Sequence, residues 1–298
     1  MLRVAFGFLR TSVLSNHSPT TSLTASSCYL TLVPVLGLVP LLLSLLLQSP
    51  AQPAACANVW QNRAGEFEEY LRTAKIERIA DIPIGVTRPR RAYLASGGLA
   101  SSFAWKPLKP GFQHGYFESY KSEIAAYELD KLLALNMVPP SVEKTFNGER
   151  GAAIMWVAPA KSFKDLGVTS APAAPAQYQA AWNRQIVKAK MFHNLINDID
   201  PNLGNWLVDP AWNLILIDFS RSFTNGSQMV HVLTRVDPDL WNKFKALTEA
   251  SLTPVLSAYI GKGEIRSIIQ RRDKMAQVID KLIKEHGEAT VFMRDAGR

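Results

Sequence analysis

The chain has 298 residues, 47% of them hydrophobic, enough for one large domain or two lobes with substantial cores. Its formal charge of +8 is spread without a Lys/Arg block. No zinc-finger spacing, RNP-like motif or basic helix accompanies it, so the charge speaks weakly for an anionic ligand and makes no case for nucleic acid.

Residues 1–65 hold no Asp, Glu or Lys, and residues 30–47 form an uncharged, mostly apolar run. That run, followed by Gln48, Ser49 and Pro50 and then Ala55, Cys56 and Ala57, resembles a secretory signal with a small-x-small cleavage site after Ala57. A retained membrane anchor ranks second: roughly 18 apolar residues just reach across a bilayer, although Pro34 and Pro40 interrupt these. Lipidation of Cys56 ranks third, because Pro53 makes a poor preceding context. The leader of about 29 residues is long for a signal, which keeps a start assigned too far upstream, and a cytoplasmic chain, as an alternative. The expectation is export or anchoring through residues 1–57, with membrane contact only through that segment. Both cysteines, Cys28 and Cys56, fall in it, so residues 58–298 carry no disulfide framework.

Residues 65–75 read as a short helix with Phe67, Tyr70 and Leu71 on one side. Residues 76–87 alternate in part and are interrupted by Pro83, and 88–94 read as a strand. Gly97 and Gly98 separate two β-like runs, 91–95 and 99–106, as a two-glycine hairpin turn would. Residues 101–106 alternate and end in a lysine before Pro107, which places Lys106 at a strand end. The strongest helix is 119–135, with Ile124, Tyr127, Leu132 and Leu135 near one stripe and Asn136 as its C-terminal cap. A strand entered at Val138, a turn at Asn147 and Gly148, and a buried strand at 151–157 follow.

Residues 161–176, with Pro172 and Pro175, read as an irregular linker. Residues 177–196 read as a second strong helix, on which His193 is a packed or capping residue, since five scattered histidines offer no metal-binding spacing. Beyond Phe223 three helices are expected, roughly 238–249, 252–260 and 264–286, the last with core-packing periodicity.

The chemistry is concentrated in residues 197–223, NDIDPNLGNWLVDPAWNLILIDFSRSF. Asp200 is followed by Asn205 five residues on and by Asp218 eighteen residues on. Apolar runs at 206–208 and 214–217, separated by Asp209, Pro210 and Asn213, give the order loop, strand, turn, strand, with Asp218 at the second strand's exit. With 12 Asp and 13 Asn in the chain, this spacing is expected by chance roughly 0.02 times. Phosphoryl transfer needs such a set: one carboxylate beside the attacking hydroxyl, and an amide oxygen with a second carboxylate to hold Mg²⁺. Asp200 is therefore the candidate catalytic residue, and Asn205 and Asp218 the candidate metal ligands. An Asx-rich turn capping a hairpin competes with this reading, because Asn197, Asp198, Asn202 and Gly204 are all good turn formers.

The same chemistry calls for a lysine on the nucleotide phosphates, oriented by a glutamate of the next helix. Lys106 fits, with Lys109 as a rival. Glu123 and Glu128 can each be its partner, and Glu128 can instead pair with Lys131 on the helix surface. Gly97 and Gly98 stand where a phosphate-covering hairpin is expected, without the full Gly-x-Gly-x-x-Gly pattern. Backbone groups around Met155 and Val157 would meet the adenine if the strand at 151–157 leads into a hinge; a buried edge strand is the competing reading.

The ordered set of Lys106, Glu123, the Val138-Pro139-Pro140 entry, the loop from Asp200 to Asn205, and Asp218-Phe219 resembles the atypical kinases of the protein-kinase-like superfamily. It looks most like the secretory-pathway (Golgi casein kinase) family, with HipA-type and phosphatidylinositol kinases as more distant relatives. The segment SEIAAYELDKLLALNMVPP is similar to that family's αC region, where a Glu two residues before an Ala pair helps form the nucleotide site, which favours Glu123. The resemblance covers residues 85–223. It implies an α+β, two-lobed kinase-like fold, with an antiparallel-sheet N-lobe carrying one helix (58–160, with an N-terminal extension) and a small, mainly helical C-lobe (161–298). His-Arg-Asp is replaced by Asp198-Ile199-Asp200, the DFG glycine is Ser220, and the cysteines that staple secretory kinases are missing.

The activity expected is transfer of the ATP γ-phosphate, with Mg²⁺ or Mn²⁺, to a hydroxyl acceptor, protein Ser/Thr favoured. The alternatives are a pseudokinase or nucleotide-binding scaffold, a lipid or small-molecule kinase, and a nucleotidyltransferase on the same fold.

Overall fold

The computed structural model describes residues 58–82, 89–113, 115–200 and 202–294. The expected signal or anchor at 1–57 lies outside them. Among the described residues no helix is long and apolar enough to cross a membrane.

In chain order the elements are α1 (Ala64–Thr73), β1 (Ile76–Asp81), β2 (Arg90–Leu94), β3 (Ser102–Lys106), β4 (Gly111–Gln113), β5 (Tyr116–Glu118), α2 (Tyr120–Leu133), β6 (Ser141–Phe146), β7 (Glu149–Met155), β8 (Lys161–Ser162), α3 (Ala176–Ile196), β9 (Trp206–Val208), β10 (Leu214–Leu216), α4 (Pro238–Lys245), α5 (Glu249–Leu256), α6 (Lys262–His286) and α7 (Glu288–Val291). The fold is α+β, with a five-stranded antiparallel sheet in the order β1-β2-β3-β7-β6 and a mainly helical second half.

Strand periodicity decides what that sheet presents. Successive side chains alternate between faces, so Phe103, Trp105, Ala153 and Met155 enter one cluster with Phe67 and Leu71 of α1. Ala104, Ala152 and Ile154 fall on the other face, against Tyr120 and Ile124 of α2. Lys106 shares this second face by the same period and is buried there beneath α2. The strand β7 is interior, paired with β3 on one side and β6 on the other, so it is not the edge strand that its sequence also allowed.

Helix α2 begins where Ser119 accepts the N–H of Lys121 in its side chain. It ends with Ala134 in the left-handed conformation (φ 50°), so the cap lies two residues before Asn136. Ala125, Leu129 and Leu133 pass into the large core of the second half, which gathers Trp182 and Phe192 of α3, Phe244 of α4 and Ile268 of α6. Being covered on nearly every side, α2 is the element through which sheet and helices share one site.

Residues 161–176 are not wholly irregular, since β8 pairs with β9 and extends the β9–β10 hairpin to three strands. The expected helix at 238–249 stops at Lys245, because Thr248 caps a new helix through a reciprocal box with Ser251. The β4–β5 hairpin has no counterpart in the sequence reading.

Candidate active site

The centre of the site is the Lys106 ammonium. Its Nζ donates to Glu123 Oε1 and to Asp218 Oδ1, each at 2.7 Å. Three separate elements are brought together here: the end of β3, the first turns of α2 and the exit of β10. Glu123 Oε2 accepts the backbone N–H of Phe219 at 2.9 Å. Glu128 instead pairs with Lys131 at 3.0 Å.

Asp218 has φ 66°, the left-handed region that Asp tolerates better than most residues and that concentrates at functional sites. Its turn directs Phe219 inward, where the ring lies 6.2 Å from Phe192 and 6.0 Å from His193.

The loop from Asp200 to Asn205 approaches from the other side of the same hairpin. Asn205 accepts the N–H of Ile217 on its backbone carbonyl at 3.0 Å, so it stands across the hairpin base from Asp218. Its side-chain amide donates to the Asp200 carbonyl at 3.1 Å, which fixes the loop's shape. Asp200 Oδ1 accepts from Asn202 at 3.2 Å, and Oδ2 accepts from Arg221 at 3.1 Å. The Asx turns anticipated from sequence are present, and they shape the loop that carries Asp200.

Two further groups of expected site residues are placed as follows. Gly97 and Gly98 make the β2–β3 turn, which adjoins Ser102, and Lys106 lies four residues along β3, roughly 13 Å away at strand rise. A Cβ on Gly98 would run into the Tyr70 hydroxyl of α1, so this glycine serves helix packing. The strand ends beside Lys106 are those of Asp81 on β1 and Arg90 on β2, since Asp81 pairs with Arg90 and Arg90 with Trp105; residues 83–88 lie outside the described ones. Met155 packs into the sheet core and donates its N–H to Pro140, and Trp156 donates to Ser102, so these two donors are committed within the sheet. Val157 is half-buried beyond them.

Charge balance explains the cluster. Burial alone would push the Lys106 ammonium down, but Asp218 and Glu123 outweigh it and hold the ammonium well above the usual lysine range. Burial pushes Asp218 up, and Lys106 overcomes that and keeps it below the usual carboxylate range. Burial holds Glu123 above that range, with Lys106 opposing. Behind the loop, burial pushes Asp198 up to about 7 and His193 down to about 3, and the two lie 3.2 Å apart. Arg221 and Glu118 were not singled out from sequence. Glu118 lies on β5 and is fully buried against Arg221 at 2.7 Å.

Among the described residues no group of three or more His, Cys, Asp or Glu is arranged to hold a metal. Mg²⁺ or Mn²⁺ in a phosphotransfer site needs only one or two protein oxygens, with substrate phosphates and water completing the shell. Asn205 and Asp218 fit, as hard oxygen donors across one hairpin, with Asp218 about one-third exposed.

These features define a kinase-like fold with a lysine–glutamate pair and two further carboxylates at its centre. No family model matches the sequence, and no curated protein matches it at the sequence level. Solved structures do match. Hydra Fam20, solved with sugar, superimposes with a TM-score of 0.61 at 15% identity, covering 80% of this chain and 98% of its own. Golgi casein kinase with Mn/ADP bound gives 0.59 at 13% identity, covering 77% of this chain and 78% of its own. The chain thus has a kinase-like fold related to that of Golgi casein kinase.

Proposed function

We propose that the chain is a divalent-metal-dependent phosphotransferase that moves the γ-phosphoryl group of ATP to a hydroxyl, with a protein Ser or Thr as the favoured acceptor. The observation that carries this reading is the junction at Lys106, where one ammonium meets Glu123 and Asp218 beside the Asp200 loop. Lys106 would contact the nucleotide phosphates, and Glu123 keeps it in place. Asn205 and Asp218 would hold the cation, which when bound offsets charge on the phosphates. Asp200 would orient the acceptor hydroxyl and take its proton as oxygen bonds to the γ-phosphorus and the bond to the β-phosphate oxygen breaks, leaving ADP. The Mn/ADP complex of Golgi casein kinase supports nucleotide and metal use.

Residues 1–57 are proposed to export or anchor the chain. A second reading, a nucleotide-binding scaffold without turnover, draws support from the engagement of both Asp200 oxygens by Arg221 and Asn202. Measuring ADP formation by the wild type, Asp200→Ala and Asp218→Ala decides between them. Loss of activity in both variants supports the phosphotransferase. Full activity in either one removes that residue's role, and nucleotide binding without any wild-type turnover favours the scaffold.

A further inference from the structure

Arg221 follows Ser220 directly and belongs to no motif recognised in the sequence. Its guanidinium makes three contacts at once. Nε donates to Glu118 Oε1 at 2.7 Å, Nη2 lies 2.7 Å from the same oxygen, and Nη1 donates to Asp200 Oδ2 at 3.1 Å. Its Cζ lies over the Tyr116 ring, 4.4 Å from the centroid. Tyr116 and Glu118 both lie on β5, and the next residue, Ser119, donates its N–H to the Ser220 carbonyl while its side chain caps α2. The hairpin before α2 therefore grips the segment after Asp218 at two adjacent residues.

An ion pair between flexible, solvated side chains fixes little. This one differs in that the planar fork is held from behind by a fully buried carboxylate and sits over an aromatic ring, which leaves the guanidinium few other orientations. Asn202 holds the other oxygen of Asp200. The carboxylate that would meet the acceptor is thus bracketed, and one bracket leads back to the N-terminus of the helix that carries Glu123.

We propose that Arg221 is the positioning residue for Asp200, and that the β4–β5 hairpin, through Glu118 and Tyr116, sets the acceptor-side carboxylate relative to the Lys106–Glu123 pair. This rests on the phosphotransfer reading above. Arg221 makes no hydrogen bond to Lys106 or Glu123, and its charge reaches Asp218 only at longer range, so its loss should be felt mainly in turnover and less in nucleotide binding.

The test uses the full chain with ATP and Mn²⁺, measuring ADP formation with dephosphorylated casein as acceptor and with water alone. Arg221→Met, Arg221→Lys and Glu118→Gln are compared with wild type, each with its melting temperature and the rise that ATP and Mn²⁺ produce in it. The expected result for Arg221→Met is a kcat lower by about 10- to 100-fold, as misplacement of a reacting group produces, with KM for ATP and the ATP-induced rise little changed. Arg221→Lys, with the charge but not the fork, should recover part of the rate, and Glu118→Gln should fall between. Unchanged kcat in folded Arg221→Met overturns the proposal. So does a joint fall of kcat, ATP-induced rise and melting temperature, which marks a structural brace. Should Arg221→Met fail to fold, Arg221→Lys and Glu118→Gln carry the same comparison. A wild type that forms no ADP in either assay overturns the phosphotransfer reading itself, and this proposal with it.

Discussion

Glu123 accepts the backbone N–H of Phe219 on one carboxylate oxygen, at 2.9 Å, and the ammonium of Lys106 on the other, at 2.7 Å. A single side chain of α2 thereby joins the end of β3 to the segment that follows Asp218. Lys106 closes the triangle through Asp218 itself. Three elements distant in sequence are held to within a few ångströms because each polar group, once buried, needs a partner that the others supply.

Removing Glu123 should be costly on that account. Glu123→Ala leaves a buried ammonium with one partner and strands a backbone N–H. Breaking a buried pair typically costs about 3–5 kcal/mol, a drop of roughly 10 °C in melting temperature for a chain of this size. Glu128→Ala removes only the helix-surface pair with Lys131 and should cost about 0.5 kcal/mol. Thermal or urea unfolding of the two variants side by side checks this; equal costs would mean that Glu123 carries no special load.

Arg271 is a second buried charge, this time without a carboxylate. It is fully buried on α6 and donates to the carbonyls of Leu195, Thr224 and Gly226, tying the end of α3 to the chain after Phe223. Arg271→Leu preserves bulk but orphans three carbonyls, for a predicted loss of about 3 kcal/mol or more. A denaturation midpoint unmoved from wild type would show that water replaces those bonds.

Acid should destabilise the protein through its histidines. Burial holds His193 at about 3 and His231 at about 4, both below the usual histidine value. A base depressed in the folded state contributes stability that is whole above its unfolded pKa of about 6.5 and is lost as pH falls toward the folded values. Asp198, pushed up to about 7, works in the opposite sense, because its contribution is present below about 4 and lost as pH rises through 7. His231→Leu should therefore flatten the fall in stability between pH 6.5 and 4, and Asp198→Asn should gain on wild type as pH rises from 4 to 8. Unfolding free energies measured across that range, with slopes identical to wild type in both variants, would contradict the assignment.

The two-glycine turn makes a contrasting prediction. Gly98→Ala should push Tyr70 off its contact with the Ala100 carbonyl and cost about 1–2 kcal/mol, the ordinary scale for a strained substitution. KM for ATP should not change. A raised KM with stability intact would return Gly98 to the nucleotide site.

What could be read from sequence divides along physical lines. Lys106, Asp200, Asn205 and Asp218 are legible as candidates because each sits at a fixed distance from an element with strong periodicity, the strand ending at Pro107 or the hairpin around Asp209, whereas the preference for Glu123 over Glu128 comes from the family resemblance alone. Gly97 and Gly98 form the turn between β2 and β3 that the sequence predicts, but two glycines do not say which end of a strand lies beside Lys106; only the pairing of Arg90 with Trp105 decides that. The β4–β5 hairpin escaped notice since its three-residue strands leave Phe112, Tyr116 and Phe117 exposed, with no buried alternation to betray them. Arg221 and Glu118 lie 103 residues apart, and only the assembled fold makes them neighbours.

The most direct measurement is a thermal-shift titration of the wild type and Asp218→Ala with ATP in the presence of Mg²⁺ or Mn²⁺, since a ligand that binds the folded state must raise its apparent stability. At ligand concentrations about a hundredfold above Kd the gain is about 2.7 kcal/mol, or roughly 5–10 °C for a chain of this length. A metal-dependent rise in wild type that disappears in Asp218→Ala is the predicted result. No rise in folded wild type with either metal would contradict the nucleotide site, and would leave the loop from Asp200 to Asn205 as a set of turns.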